Sequence, residues 1–189
     1  MLADLDGRID IIIDGGPTDV GLESTVIDLS VNPPTVLRPG AVDIEALRDV
    51  LPDVTTRHTA SSDTIAMRSP GLLRKHYSPR TPLVVYEGDR EAALRSMKHE
   101  AQQRVDRGEL VAALLFADDV SELRSPLVRI VDLGSEQDPA AVAGRLYAAL
   151  RECDDLGASI ILVRNITTAH PLSGAIQDRL RRASLTPDT

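Results

Sequence analysis

The chain has 189 residues, 42% hydrophobic but only 2% aromatic, so a core must be built from Ala, Val, Leu and Ile, and the length suits one ordinary domain or two small ones. A formal net charge of -8 argues against a protein that coats nucleic acid through its overall field, because phosphate binding draws on Lys and Arg. The single cysteine, Cys153, excludes an internal disulfide and a multi-cysteine zinc site, and no apolar run is long enough to span a membrane, which makes the cytoplasm the expected setting.

In chain order, "RIDIIIDGG" reads as a strand, Ile9 to Ile13, ended by a Gly-Gly turn. "ESTVIDLS" gives a second strand, and the two are expected to pair over Ile9–Ile13 and Thr25–Leu29. "PTVLRPG" supplies a short third strand stopped by Pro39-Gly40. "DIEALRDVL" opens acidic and carries Ile44, Leu47 and Leu51 at helical spacing. From Thr55 to Met67 the composition turns polar without a period, a loop that runs into the strap "SPGLLRKHYSP".

Beyond the strap the pattern changes. "PLVVYEG", "ELVAALLF", "LVRIVDLG" and "ASIILVRNI" are strand-like apolar runs. A helix starts at Asp89, with Leu94, Met97, Ala101 and Val105 on one face and Gly108 as its stop. Another is capped by Asp138, has Pro139 at its first position and buries Val142, Leu146, Leu150 and Cys153. "SGAIQDRLRRAS" closes as a helix whose Arg179, Arg181 and Arg182 suit the C-terminal end of its dipole. This alternation predicts a three-layer α/β domain with a mainly parallel sheet from Pro82 to about Ala183.

Four segments are candidates for chemistry. "DGGPTDVGLEST" could cradle a phosphate through backbone N–H groups, yet it matches neither the dinucleotide fingerprint nor the P-loop, and an ordinary hairpin loop fits it as well. Arg38, at the end of a short strand, can offer its planar fork to a carboxylate or phosphate, or simply be solvated. In the strap, Arg68, Arg74, Lys75 and Arg80 flank His76 and Tyr77; the alternatives are a basic linker and a segment that brings a ring to a polar substrate. The loop "RNITTAHPLSGAI" follows the last strand, where open α/β sheets bind ligands, and either an anion at Gly174 or a structural role suits it. No catalytic triad, carboxylate pair or metal cluster is assigned.

"GRIDIIIDGGPTDVGLESTVIDL", "VLRPGAV", "SPGLLRKHYSPRTPL" and a final "HPLSGAIQDRLRRAS" together resemble two-domain threonylcarbamoyl-AMP synthases, in which a YrdC-type domain is joined by a strap to a Rossmann-like C-terminal domain. The resemblance covers nearly the whole chain. It implies a nucleotidyltransferase that makes threonylcarbamoyl-AMP and pyrophosphate from L-threonine, bicarbonate and ATP, with magnesium accompanying the ATP and the product passing to the machinery that modifies an adenosine in tRNA. It further implies that Ser24 contacts the threonine side, and that Arg38, His76 and Tyr77 contact ATP.

Members of the family carry Lys-x-Arg and Ser-x-Asn segments upstream of the part matched here. The expectation is therefore a C-terminal fragment, inactive alone: a partial YrdC-type α/β domain (1–54), a linker strap (55–81) and a three-layer Rossmann-like domain (82–189). The alternative is a non-catalytic nucleotide-binding or interaction module.

Overall fold

The computed structural model describes residues 5–16, 18–56 and 78–184. The N-terminal part is a three-stranded sheet. Strand β1 (Val26–Asp28) pairs antiparallel with β2 (Thr35–Arg38), and β2 pairs in parallel with β3 (Thr55–Thr56). Helix α1 (Ile44–Arg48) starts where the Asp43 side chain accepts a hydrogen bond from the Ala46 N–H, satisfying one of the donors a helix start leaves open.

The expected pairing of Ile9–Ile13 with Thr25–Leu29 is not found. Residues 9–13 form no strand, and Ile11 and Ile13 are 78% and 91% exposed. β-Branched composition favours extended backbone, but a strand exists only where a neighbour takes its N–H and C=O groups, and among the described residues the partner of β1 is β2.

The C-terminal part has four parallel strands: β4 (Leu83–Tyr86), β5 (Val111–Leu115), β6 (Val128–Asp132) and β7 (Ile160–Arg164), in the order β4-β7-β5-β6. Every residue of β5 and β7 is buried, the consequence of helices on both faces. Helix α2 (Arg90–Asp106) and a 3-10 helix (Ala117–Leu123) cover one face, through Leu94, Met97, Ala101 and Leu123 against Val111, Ala113, Leu115 and Leu162. Helices α3 (Pro139–Asp155) and α4 (Ser173–Ser184) cover the other, through Leu146, Leu150, Cys153, Ile176 and Leu180 against Leu114, Val131, Ile161 and Val163. Asp89 and Asp138 cap α2 and α3 as the sequence implies. Burial pushes the Cys153 thiol up to about 12, with Glu152 and Asp154 adding to the shift, so it is inert packing.

The last residues of the strap are pinned to this domain: the Asp154 carboxylate accepts from the backbone N–H groups of Arg80 and Thr81 at 3.0 and 2.9 Å. The N-terminal part meets it at two glycines. Gly21, with φ of 72°, lies so close to α3 that a Cβ there would come within 2.4 Å of the Gly144 Cα, whereas a Cβ on Gly144 would meet nothing within 4 Å. Gly21→Ala combines a left-handed backbone with that clash and should cost about 1–3 kcal/mol. Gly144→Ala, on an exposed helical position, should gain about 0.5–1 kcal/mol. Urea unfolding of the two variants measures both; equal effects would contradict the docking described.

Candidate functional site

The loop Gly21–Thr25 and the end of β2 are brought together by the β1–β2 pairing, in which Val26 lies opposite Arg38. The Arg38 Nε donates to the Ser24 carbonyl at 3.1 Å, and its Nη2 lies 3.5 Å from the Ser24 hydroxyl, a long contact. Ser24 is exposed and Arg38 half-buried. One hydroxyl, from the loop before β1, and one guanidinium, from the end of β2, thus lie side by side.

Two devices hold that geometry. Gly40 is buried against the loop: a Cβ there would fall 2.3 Å from the Thr25 nitrogen, so only glycine lets the chain after Arg38 pass so close. The Thr25 Oγ1 donates to the Val42 carbonyl at 2.8 Å and accepts from the Val42 N–H at 3.2 Å.

Glu23, one residue before Ser24, points to the C-terminal domain. Its carboxylate accepts from the Tyr147 hydroxyl of α3 at 2.8 and 3.0 Å and from the Arg179 Nε of α4 at 2.6 Å. Arg179 also donates through Nη2 to the Pro39 carbonyl at 3.3 Å and through Nη1 to Asp178 at 2.6 Å. Burial works to raise the Glu23 carboxyl, but hydrogen bonds from Arg179, its own backbone and Tyr147 outweigh it and hold the group below its usual range. Burial and the Glu23 carboxylate push the Tyr147 hydroxyl upward, so it stays a donor. Sequence reasoning assigned Arg179 to the helix dipole; the structure gives it Glu23 instead.

Of the residues named from sequence, Ser24 and Arg38 are thus together, while His76 and Tyr77 lie outside the described residues. The loop after β7 shows why sequence could not choose between anion site and structure there. Its donors already hold an anion, the Glu136 carboxylate, which accepts from the Thr167 N–H (2.6 Å), the Thr167 hydroxyl (2.8 Å) and the Thr168 N–H (3.3 Å). Arg164, at the end of β7 and fully buried, donates to Glu136 and Asp119 at 2.5 Å each and stacks 4.4 Å above the Phe116 ring. Arg90 completes the group from α2, 2.8 Å from Asp119. The network lies at the C-terminal ends of β5 and β7, where the chain turns from β5 to β6 on one side and from β7 to α4, beside β4, on the other. In open α/β sheets that crevice is the usual ligand position. Here the chain's own ions fill it.

Comparison with known proteins identifies the family. A family model described as "Threonylcarbamoyl-AMP synthase, C-terminal domain" matches residues 42–184. The chain belongs to the threonylcarbamoyl-AMP synthase family. The Sua5–YciO–YrdC model, described as "Telomere recombination", matches residues 1–40. The threonylcarbamoyl-AMP synthase of Pyrococcus abyssi is 31% identical over 96% of this chain and 51% of its own length. That of Bacillus subtilis is 32% identical over 96% of this chain and 50% of its own. The crystal structure of P. abyssi Sua5 complexed with L-threonine superposes with a TM-score of 0.81 at 31% identity, covering 97% of this chain and 52% of that one. A P. abyssi Sua5 variant with a His and the adjacent Tyr changed to Ala gives 0.77 at 30%, over 97% of this chain and 51% of that one.

These matches correct two expectations. The chain was expected to be a fragment lacking most of the synthase domain, with a partial YrdC-type domain. The alignments instead follow 96–97% of it, N-terminal stretch included, so it is a Sua5-type homologue along nearly its entire length, with YrdC-type and Rossmann-like parts. The chain spans about half the length of the curated relatives it matches.

The filled crevice makes a stability prediction. Burial works to raise the Glu136 carboxyl, but Arg164 and Thr167 overcome it and bring the group down to about 2, from an ordinary value of 4.5. A depressed carboxyl stabilises the fold fully above its unfolded value and loses that contribution as pH falls through its folded value. Roughly 3 kcal/mol should therefore disappear between about pH 4.5 and 2. Arg164→Met, which leaves Asp119 and Glu136 buried without their partner, should cost about 3–5 kcal/mol at neutral pH. Urea titrations across pH check both; an acid limb unchanged in Glu136→Gln would contradict the assignment.

Proposed function

We propose that this chain serves the synthesis of threonylcarbamoyl-AMP, a nucleotidyl transfer from ATP, with residues 1–54 as the synthase part, 55–81 as the strap and 82–189 as the C-terminal domain. The observation that carries the reading is the convergence of the exposed Ser24 hydroxyl and the Arg38 guanidinium, held by Gly40 and Thr25. It is supported by likeness to a solved relative complexed with L-threonine.

On this reading the threonine amine attacks the carbon of bicarbonate, and loss of water leaves a carbamate. A carbamate oxygen then attacks the α-phosphorus of ATP. The bond to the β-phosphate oxygen breaks, and pyrophosphate leaves. Ser24 takes the threonine side by hydrogen bonding. Arg38 lies against the nucleotide, where a fixed guanidinium stabilises charge that grows on the phosphoryl oxygens. His76 and Tyr77 come from the strap to the ATP, limiting the access of water to the carbamate and the mixed anhydride. The solved relative altered at an adjacent His and Tyr supports looking for the role in this pair.

Magnesium would arrive with the ATP phosphates. Among the described residues no group of three or more His, Cys, Asp or Glu side chains is placed to hold a metal, so none is assigned to it. No helix among the described residues is long and apolar enough to cross a membrane. The proposal places the protein in the cytoplasm, with its product passing to the enzymes that modify tRNA.

Calorimetry with L-threonine and ATP, together with pyrophosphate release in the presence of bicarbonate, tests this. Ser24→Ala should weaken L-threonine binding about tenfold. Arg38→Ala should lower pyrophosphate release about 100-fold, and Tyr77→Ala about tenfold. No binding of L-threonine by the unaltered chain, or wild-type behaviour of both Ser24→Ala and Arg38→Ala, would refute the site.

A further inference from the structure

Arg179 lies on α4, in the domain that does not carry Ser24 or Arg38, yet its guanidinium touches the residue on either side of that pair. Nε reaches Glu23, which precedes Ser24, and Nη2 reaches the Pro39 carbonyl, which follows Arg38. A fork with fixed spacing therefore sets the distance between the two chain segments that present the hydroxyl and the guanidinium. Tyr147, from α3, fixes the same Glu23 carboxylate through both its oxygens. Asp178 accepts from Arg179 at 2.6 Å and from Arg182 at 2.8 Å, which orients the Arg179 plane from its own helix. The Arg179 side chain is 6% exposed and that of Glu23 24% exposed, so the contact is shielded from solvent.

We infer that Arg179 and Tyr147 are positioning residues of the L-threonine site: the C-terminal domain holds the Glu23–Ser24 and Arg38–Pro39 segments in binding geometry. The inference rests on the proposed role of Ser24 and Arg38. Its physical basis is preorganisation. A loop ordered before the ligand arrives need not be ordered by it, and loosening the loop transfers that cost to binding. The hydroxyl and guanidinium themselves remain in place in such a variant, so affinity falls without loss of any contacting group.

The test uses the full chain with Arg179→Lys, Tyr147→Phe and, as a control on the same helix, Arg181→Lys, whose partner is the exposed Glu87. Arg179→Lys keeps the charge and loses the fork; Tyr147→Phe removes one hydroxyl. Amide hydrogen exchange across residues 21–42 should accelerate about tenfold in the first two, with β5 and β7 unchanged. L-threonine calorimetry should show a dissociation constant raised about tenfold at unaltered stoichiometry. Simple loss of folded protein would do the reverse, lowering stoichiometry at constant affinity. Arg181→Lys should match the parent in both measurements.

Unaltered exchange in Arg179→Lys and Tyr147→Phe would overturn the clamp. Faster exchange with unaltered affinity would overturn its positioning role. Absence of L-threonine binding by the parent chain would refute the functional reading instead, and the exchange data would still decide the clamp.

Discussion

A guanidinium buried to the extent of Arg179 must have each of its nitrogens satisfied, because a charge removed from water without partners costs several kcal/mol. The partners come from three places: a loop of the N-terminal part, the end of β2, and its own helix. That one requirement locks α4 to the Gly21–Gly40 region. Gly21 permits the same close approach against α3, while Gly40 keeps the chain after Arg38 beside Thr25 within the N-terminal part. The wider arrangement is then economical: a rigid four-stranded parallel domain, closed at its own ligand crevice by Arg164, Asp119 and Glu136, acts as a frame for a pair of residues that it does not itself carry.

The closed crevice also separates two readings of the C-terminal domain. A nucleotide-binding module of doubly wound type needs free N–H donors and space at the strand ends. Here the backbone donors of Thr167 and Thr168 are engaged with Glu136, and the space holds the Arg164 side chain over Phe116. The face of α3 and α4 is occupied within the chain, where it receives Glu23.

The parallel domain was readable from sequence because its determinants are local. Runs such as "VAALL" and "IILVR" match strands buried on both faces, and Asp89, Asp138 and Pro139 mark the helix starts. The failures have a common cause in partners distant along the chain. Ile9–Ile13 has strand composition without a described neighbour. Arg164 closes an apolar run, which signals a need for buried counter-charge, but Glu136 and Asp119 stand 28 and 45 residues away, in a turn and in the 3-10 helix. Arg179 looked like a cation near a helix end, and its partner Glu23 is 156 residues upstream. Ser24 and Arg38 were legible through their motifs, and the structure adds that the strand following Ser24 pairs with the one that carries Arg38. Tyr147 carries no such signal, since nothing in its neighbouring sequence distinguishes it from a core tyrosine.

The central claim, that Ser24 and Arg38 form a substrate site framed by the C-terminal domain, is tested most directly by a crystal structure of the full chain with L-threonine and a non-hydrolysable ATP analogue. The account predicts L-threonine hydrogen-bonded to the Ser24 hydroxyl, the nucleotide phosphates within reach of Arg38, and the Glu23–Arg179 and Glu23–Tyr147 contacts intact. Nucleotide at the C-terminal ends of β5 and β7, with the Arg164 network opened and the Ser24–Arg38 region empty, would contradict it.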